Sequence, residues 1–444
     1  MEDNLPVIIA GAGPCGLVAA LTLQQHNIPC RVLERASRAK LCSNAGSGID
    51  MAPTAIHLLE NDLQVDLNRA MRPYDYMYIG DMEGGHVATY RLKDMKVTET
   101  RPFGFAGRAD LQKALLEKLD ESILQCGVSV KEFAQQESHV DVMLSDGTTI
   151  QGSALLACDG IHSAIRAHMH QDISDELNYC GQECWWGKTT IVPGSELDDA
   201  LRSLEKERGM DDKDNGGVGF VSLMYLATRK FPGAFFSCPI DDDVHAWAYI
   251  SKKDTAPVAN QSNDLTRRGS AILSDDDKRR ELERLVTEGA PLMGLIIQAT
   301  PASDISRAGF FDRKHLDLPY VQGRVALLGD AAHPQSPMMG QGANMAIVDG
   351  YVLAKRLAAT KLRNVENTLG EYDSLSRRKA NNKVIQDARG YGTTFVSNHP
   401  FTCWATKLVI KLMPASVMVS EMIKGDKSNN DFVKSMNEAI KVSE

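Results

Sequence analysis

An excess of basic charge, paired cysteines, clustered histidines and long apolar runs are all missing from this 444-residue sequence. Its 49 Lys+Arg stand against 58 Asp+Glu, a net charge of −9, which argues against the basic face of a nucleic-acid binder. The nine cysteines (Cys15, Cys30, Cys42, Cys126, Cys158, Cys180, Cys184, Cys238 and Cys403) form no Cys-x-x-Cys pair, and an odd number of scattered thiols suits a reducing compartment. Cys180 and Cys184 lack the second pair or neighbouring histidine that zinc needs, and none of the eleven histidines falls in a ligand-spaced group, so no metal site is expected. The acidic start Met1-Glu2-Asp3-Asn4 and the short run Leu5 to Ala10 make no signal-peptide core; they predict a chain that begins at residue 1 and works in the cytoplasm. There is no fixed-period repeat and no low-complexity segment.

The most membrane-like stretch, Phe401 to Ile423, is interrupted by Lys407, Lys411 and Pro414 well short of the ~20 apolar residues a span requires. Trp404, Leu408 and Leu412 recur at helical spacing, which predicts an amphipathic helix lying on the rest of the protein, with peripheral membrane contact as the alternative. What remains, 43% hydrophobic and 24% charged residues, describes a soluble globular chain long enough for two or three domains.

The first motif is at the N-terminus. The apolar run Leu5 to Ala10 reads as a strand buried on both faces, and it leads into Gly11-Ala-Gly13-Pro-Cys-Gly16 and a helix from Leu17. Gly11 allows a tight turn, Gly13 lets backbone approach a pyrophosphate, and Gly16 lets the helix pack on the strand. The helix N-terminus offers free N–H groups to phosphates. A second strand, Cys30 to Glu34, ends in an acid 18 residues after Gly16, suited to a ribose hydroxyl pair. This pattern predicts a dinucleotide site and leaves NAD and FAD equally open.

Two more motifs follow. The stretch from Ala154 to Arg166 reads as another buried strand, a sharp turn at Asp159-Gly160 and a helix start that takes in Ser163 and Arg166. Near residue 330, Gly323 to Leu328 reads as a strand delivering Asp330 to its C-terminal end, where ligands sit in open α/β sheets. The turn Gly340-Gln-Gly342-Ala343-Asn344 then begins a helix and aims N–H donors at a ring oxygen or developing negative charge.

With these three motifs in order, and Arg108 between them, the chain resembles the single-component flavoprotein aromatic hydroxylases of the para-hydroxybenzoate hydroxylase fold, including salicylate-hydroxylase-like and tetracycline-degrading enzymes. The resemblance runs from about residue 5 to residue 385. It implies that Gly11, Gly13 and Gly16 hold the FAD pyrophosphate, that Glu34 binds the adenosine ribose, and that Arg35 lies near the adenine. Arg108 matches an arginine contacting the ribityl–pyrophosphate region, Asp330 the aspartate on the ribityl chain, and Gly340, Gly342, Ala343 and Asn344 the turn at the pyrimidine edge of the isoalloxazine. Asp159, Ser163 and Arg166 match the Asp-Gly motif between the flavin pyrophosphate and the nicotinamide nucleotide. Asp50 stands where the tetracycline-degrading branch has an aspartate next to the flavin ring, a flavin or active-site contact.

The implied fold is α/β: a Rossmann-like FAD-binding domain made of residues 1–73, 101–175 and 305–385, an inserted β-sheet substrate domain (74–100 and 176–304), and C-terminal helices (386–444). The implied reaction is NADH- or NADPH-driven monooxygenation, in which reduced FAD captures O2 as a C4a-hydroperoxide that hydroxylates an aromatic or polyketide- or alkaloid-like small molecule. Epoxidation and Baeyer–Villiger oxygenation share the motifs, and a flavin-binding protein without turnover is the non-enzymatic alternative. Monomer and homodimer are both compatible.

Within the inserted region, Val244 to Ile250 alternates, so His245, Trp247 and Tyr249 share one face and Ala246 and Ala248 the other. The aromatic, polar face suits the roof of an aromatic ligand, which makes His245 and Tyr249 the candidates to deprotonate substrate; packing against a covering helix is the alternative. Trp185-Trp186-Gly187 departs from the family's aromatic-Arg-Gly run, with Trp186 in the arginine's place. Ser195 to Gly217, with Asp198, Asp199, Asp211, Asp212 and Asp214, reads as an exposed acidic excursion, and Asp275 to Leu285 as a helix with acids complementing its dipole.

Overall fold

The computed structural model describes residues 5–41, 43, 46–93, 103–173, 176–210, 220–256, 273–373 and 375–443. Val7–Ala10 is a strand with all four residues buried, as its unbroken apolar run demands. It pairs in parallel with Cys30–Glu34 on one side and Ala154–Ala157 on the other. Val325–Leu327 extends this sheet in parallel beyond Ala154–Ala157, and Leu124–Cys126 lies parallel to Cys30–Glu34 at the other edge. The helices Pro14–Gln25 and Gly342–Ala359 share the sheet's apolar core. All three motif strands therefore end side by side, with their following turns on one edge.

A second, seven-stranded sheet has the order 306–313, 177–190, 244–252, 233–239, 221–226, 76–81, 86–91. Its pairings are antiparallel except for 76–81 with 221–226. Ser306–Arg313 pairs with Leu177–Thr190 in this sheet, so the flavin-side segment expected from residue 305 begins with a strand of the other sheet. One face is covered by helices Glu196–Glu207, Asp275–Glu288 and Pro291–Ala299, whose Leu201, Leu282, Leu285, Met293 and Ile297 pack on Trp185, Phe235 and Trp247.

The acidic excursion expected from Ser195 is thus partly a packed helix. Ser195 Oγ caps it by accepting from Asp198 N, and Asp198 is buried, accepting from Gly194 N at 2.8 Å and from Arg202 Nε at 2.9 Å. Asp211, Asp212 and Asp214 lie outside the described residues. The helix expected from Asp275 is present, capped by Ser274.

The C-terminal helices fold back over both sheets. The expectation for Pro400–Leu412 is reversed: Trp404, Leu408 and Leu412 face outward, whereas Ile410 on the opposite side is buried. The inward face is fixed by Tyr90, whose hydroxyl donates to Ile410 O at 2.6 Å, and by the Lys407–Asp81 ion pair at 2.6 Å.

Buried ion pairs lock helices to the loop after Val325–Leu327. Asp349 is fully buried; Oδ2 takes His333 Nε2 at 2.5 Å and Gly329 N at 3.2 Å, and Oδ1 takes Arg377 Nη2 at 2.8 Å. Burial pushes the Asp349 carboxyl up, but the charges and hydrogen bonds of His333 and Arg377 outweigh it and hold the pKa below the usual carboxylate range. A folded pKa below the unfolded value of about 3.9 gives stability that is present above that pH and lost on further acidification. Asp349→Asn should therefore cost about 3–5 kcal/mol at neutral pH. Urea unfolding followed from pH 7 downward should show the gap between wild type and variant closing in acid; a constant gap would contradict the charge-based account.

Candidate active site

Gly11 follows its strand with φ +102°, and a Cβ there would lie 2.4 Å from Cys158 O, so only glycine fits the turn between two parallel strands. A Cβ on Gly16 would lie 2.0 Å from Gly11 O, which enforces close packing of helix on turn. Gly13, at the head of the helix, is different: a Cβ there meets nothing within 4 Å. The helix N-terminus also has no side-chain cap, leaving its amides directed at that open space. Glu34 closes the loop, its Oε2 accepting from Ala12 N at 2.8 Å and its Oε1 from Ala36 N at 2.7 Å. Arg35 is exposed just beyond.

Arg108 opens the helix Arg108–Lys118; its side chain is exposed beside Gly46, and Gln112 Nε2 one turn on donates to Ala12 O at 2.8 Å. Asp330 is exposed to the groove between these elements, yet surrounding protein desolvates it and raises its pKa, an effect that His333 and Arg108 partly offset. Asp159 Oδ2 accepts from Ala164 N at 3.0 Å and so caps the next helix. Ser163 Oγ accepts from Arg166 N at 2.9 Å. Arg166 itself is buried, donating to the carbonyls of Ala331 at 3.1 Å and Ala332 at 2.8 Å. It braces two motif loops and does not face the groove.

Gly340 has φ +61°, and a Cβ there would lie 2.6 Å from Asp50 Oδ2. Gly342 and the half-buried Ala343 begin the helix that follows. Asn344 is fully buried; Oδ1 accepts from Ala52 N, and Nδ2 donates to Asp50 O and Gly340 O, all at 2.8 Å. This amide holds the strand Gly48–Met51 against the turn. Asp50 Oδ1 accepts from Tyr74 Oη at 2.5 Å. Burial pushes the Asp50 carboxyl above its ordinary range, with the Tyr74 hydrogen bond opposing.

The family described as FAD binding domain matches residues 4–388. The chain belongs to this family. Its cofactor is FAD and its class is that of the FAD-dependent monooxygenases, as among its curated relatives. It is 28% identical over 417 residues to the aurachin C monooxygenase/isomerase of Stigmatella aurantiaca, covering 93% of this chain and 95% of that one. It is also 28% identical over 354 residues to the 2-heptyl-3-hydroxy-4(1H)-quinolone synthase of Pseudomonas aeruginosa, covering 79% and 80%. In fold it is similar to the Klebsiella pneumoniae HpxO complexed with FAD and uric acid, with a TM-score of 0.76, 21% identity and coverage of 95% and 97%.

The groove suits the FAD-binding family's cofactor. Open space at Gly13, free helix amides, and Asp330 and Arg108 along one wall offer what a pyrophosphate and a polyhydroxyl chain require. From the Gly340–Asn344 turn a cavity of about 420 Å³ extends beneath the seven-stranded sheet. Asp50, Tyr74, Trp186, Phe236, Cys238, Ala248, Ile250 and Phe310 line it, and Tyr391, Phe395, Met418, Glu421 and Met422 close it from the C-terminal helices.

His245 and Tyr249 do not reach this cavity. They share a face with Trp247, which is the helix-packed face, and Ala248 and Ile250 line the cavity instead. His245 is buried against Ser237 Oγ at 3.1 Å, and burial pushes its pKa down to about 4. Burial likewise pushes Tyr249 up to about 12. The residues missed by the sequence reading are Tyr74, and Tyr391, Phe395, Met418 and Met422, whose i, i+4 spacing marks one helix face each.

Three substitutions should separate fold from ligand. Gly13→Val should leave thermal stability of the flavin-free protein within about 1 kcal/mol while abolishing FAD retention, since it fills only open space. Gly11→Ala should lower stability itself. Asp330→Ala should fold and purify with less flavin, read from absorbance near the flavin bands; unchanged flavin content would remove Asp330 from the site.

Proposed function

We propose that this enzyme uses NADH or NADPH and O2 to hydroxylate an electron-rich aromatic substrate that is apolar and carries no negative charge, an alkylated or prenylated nitrogen heteroaromatic of the alkaloid type. The observation that carries this reading is the cavity's charge: among the described residues its lining includes Asp50 and Glu421 but no Lys, Arg or His. A carboxylated ring would meet two acids there and, among the described residues, no cation. Trp186 stands in the cavity wall where the family resemblance expects arginine. Much of the rest of the wall is methionine, phenylalanine and other apolar residues, a yielding surface for an apolar substituent, with Ser47, Ser222, Gln341 and Asn344 among its neutral polar groups. One relative's name denotes a quinolone bearing a heptyl chain, a neutral ring of this type.

FAD held in the groove supplies the oxygen-transfer chemistry. The chain's own residues supply position, dryness and a proton acceptor. Asp50 lies where the Gly340 turn meets the cavity, and it is the group that takes a proton from a ring N–H or hydroxyl, at Oδ2, while Tyr74 Oη holds Oδ1. Tyr391 Oη donates to Glu421 Oε2 at 2.7 Å and lowers that carboxyl's pKa, keeping a negative charge at the far end of the cavity.

The test is a panel of neutral, basic and carboxylated aromatics screened for stimulated nicotinamide oxidation, with products weighed for one added oxygen. Neutral or basic lipophilic rings should turn over, and preference for benzoates would overturn the reading. Asp50→Asn should keep its flavin and lose about 10²–10⁴ in kcat. Because burial raises the Asp50 pKa, wild-type activity should fall on the acid side above the ordinary carboxylate range, and this limb should vanish in the variant.

A further inference from the structure

Nine large apolar side chains are exposed among the described residues, and six lie between positions 401 and 417: Phe401, Trp404, Leu408, Val409, Leu412 and Val417. Phe401, Trp404, Leu408 and Leu412 recur along one face of Pro400–Leu412, because their spacing keeps them within one helical stripe. The opposite face is already held by Ile410, Tyr90 and the Lys407–Asp81 pair, so the stripe cannot roll inward without breaking them.

Charge and shape identify what the stripe fits. From Pro400 to Ser420 the only charged residues are Lys407 and Lys411, in a chain of net charge −9. Pro400–Leu412 and Ala415–Met422 together have the length and hydropathy of a membrane-crossing segment, yet they are bent by 116°, and among the described residues no single helix is long and apolar enough to cross. Such a segment lies along an interface. The stripe carries no hydrogen-bonding side chain except the Trp404 indole, which suits an apolar phase edged by headgroups and gives a protein partner little to orient on.

We propose that this segment docks on an anionic lipid surface, with Phe401, Trp404, Leu408 and Leu412 in the acyl boundary and Lys411 at the headgroups. The patch reaches the substrate cavity through the second helix: Val417 is exposed on Ala415–Met422, whose Met418 and Met422 line the cavity. Docking brings that wall to the bilayer, where an apolar substrate is dissolved. This last consequence rests on the substrate class proposed above, whereas docking itself does not.

The test is flotation of the FAD-loaded enzyme with vesicles of phosphatidylcholine mixed with phosphatidylglycerol, together with Trp404 fluorescence. Trp404 is 58% exposed, Trp185 and Trp247 are 3% and 1% exposed, and Trp186 lines the cavity, so a blue shift on adding vesicles that is lost in Trp404→Phe reports this residue. Wild type should float, and Leu412→Glu and Phe401→Glu should each weaken binding about tenfold or more. Val192→Glu, at another exposed apolar residue, should float like wild type. Retained flavin absorbance in each variant checks that it is folded. Failure of wild type to float, or flotation indifferent to both stripe variants, overturns the proposal. So does a dimer in light scattering that Leu412→Glu converts to monomer, since the stripe would then be a face between copies. Flotation with a substrate panel that fails would leave docking standing and refute only the substrate class.

Discussion

A single buried carboxylate fixes the loop on which the flavin groove depends. Asp349 reaches from its helix to the backbone of Gly329, to His333 and to Arg377 on the helix Leu375–Phe395, so the turn carrying Asp330 is held from three directions. Without such an anchor, Asp330 would sit on a loop free to answer its own desolvation by swinging toward water. The arrangement places an ionised group, compensated on all sides, beneath one that faces the groove with a raised pKa. Arg166 adds a second tether, clamping the carbonyls of Ala331 and Ala332 to the neighbouring motif.

The groove and the cavity solve opposite electrostatic problems with adjacent walls. Along the groove, helix amides and Arg108 provide positive potential for a phosphate-bearing cofactor. Past the Gly340 turn the polarity reverses, and acids with a tyrosine apiece stand at the two ends of a mostly apolar chamber. Asn344 is the seam, bonding both sides with one amide.

Much of the groove was legible because its motifs are local. A buried strand, a glycine or Asp turn and a helix start follow each other within some fifteen residues, and parallel pairing then sets their ends together. What local patterning could not specify was which way an alternating or amphipathic element turns. The strand Val244–Lys252 has two faces by geometry, and His245 and Tyr249 went with Trp247 to the side where the covering helices bring Leu282, Leu285, Met293 and Ile297 against it. The stripe at Trp404 has a clear period, yet tertiary ties through Ile410 and Lys407 turned it outward. The contribution of Tyr391 and Met418 to the cavity depends on helices folding back across the sheets, information carried by no short window.

The Asn344 seam also dictates when the protein can become itself. Its amide bonds the backbone of Asp50, 294 residues earlier in the sequence. A ribosome delivering the chain from the N-terminus produces the glycine turn early, but the opposing rim of the groove emerges only after three quarters of the polypeptide exists. Until then the first parallel strands lack their Val325–Leu327 neighbour and expose an unpaired apolar edge. Cofactor capture is thereby a late event in the life of each molecule, and the nascent chain must be shielded through a long interval in which half a site waits for its other half.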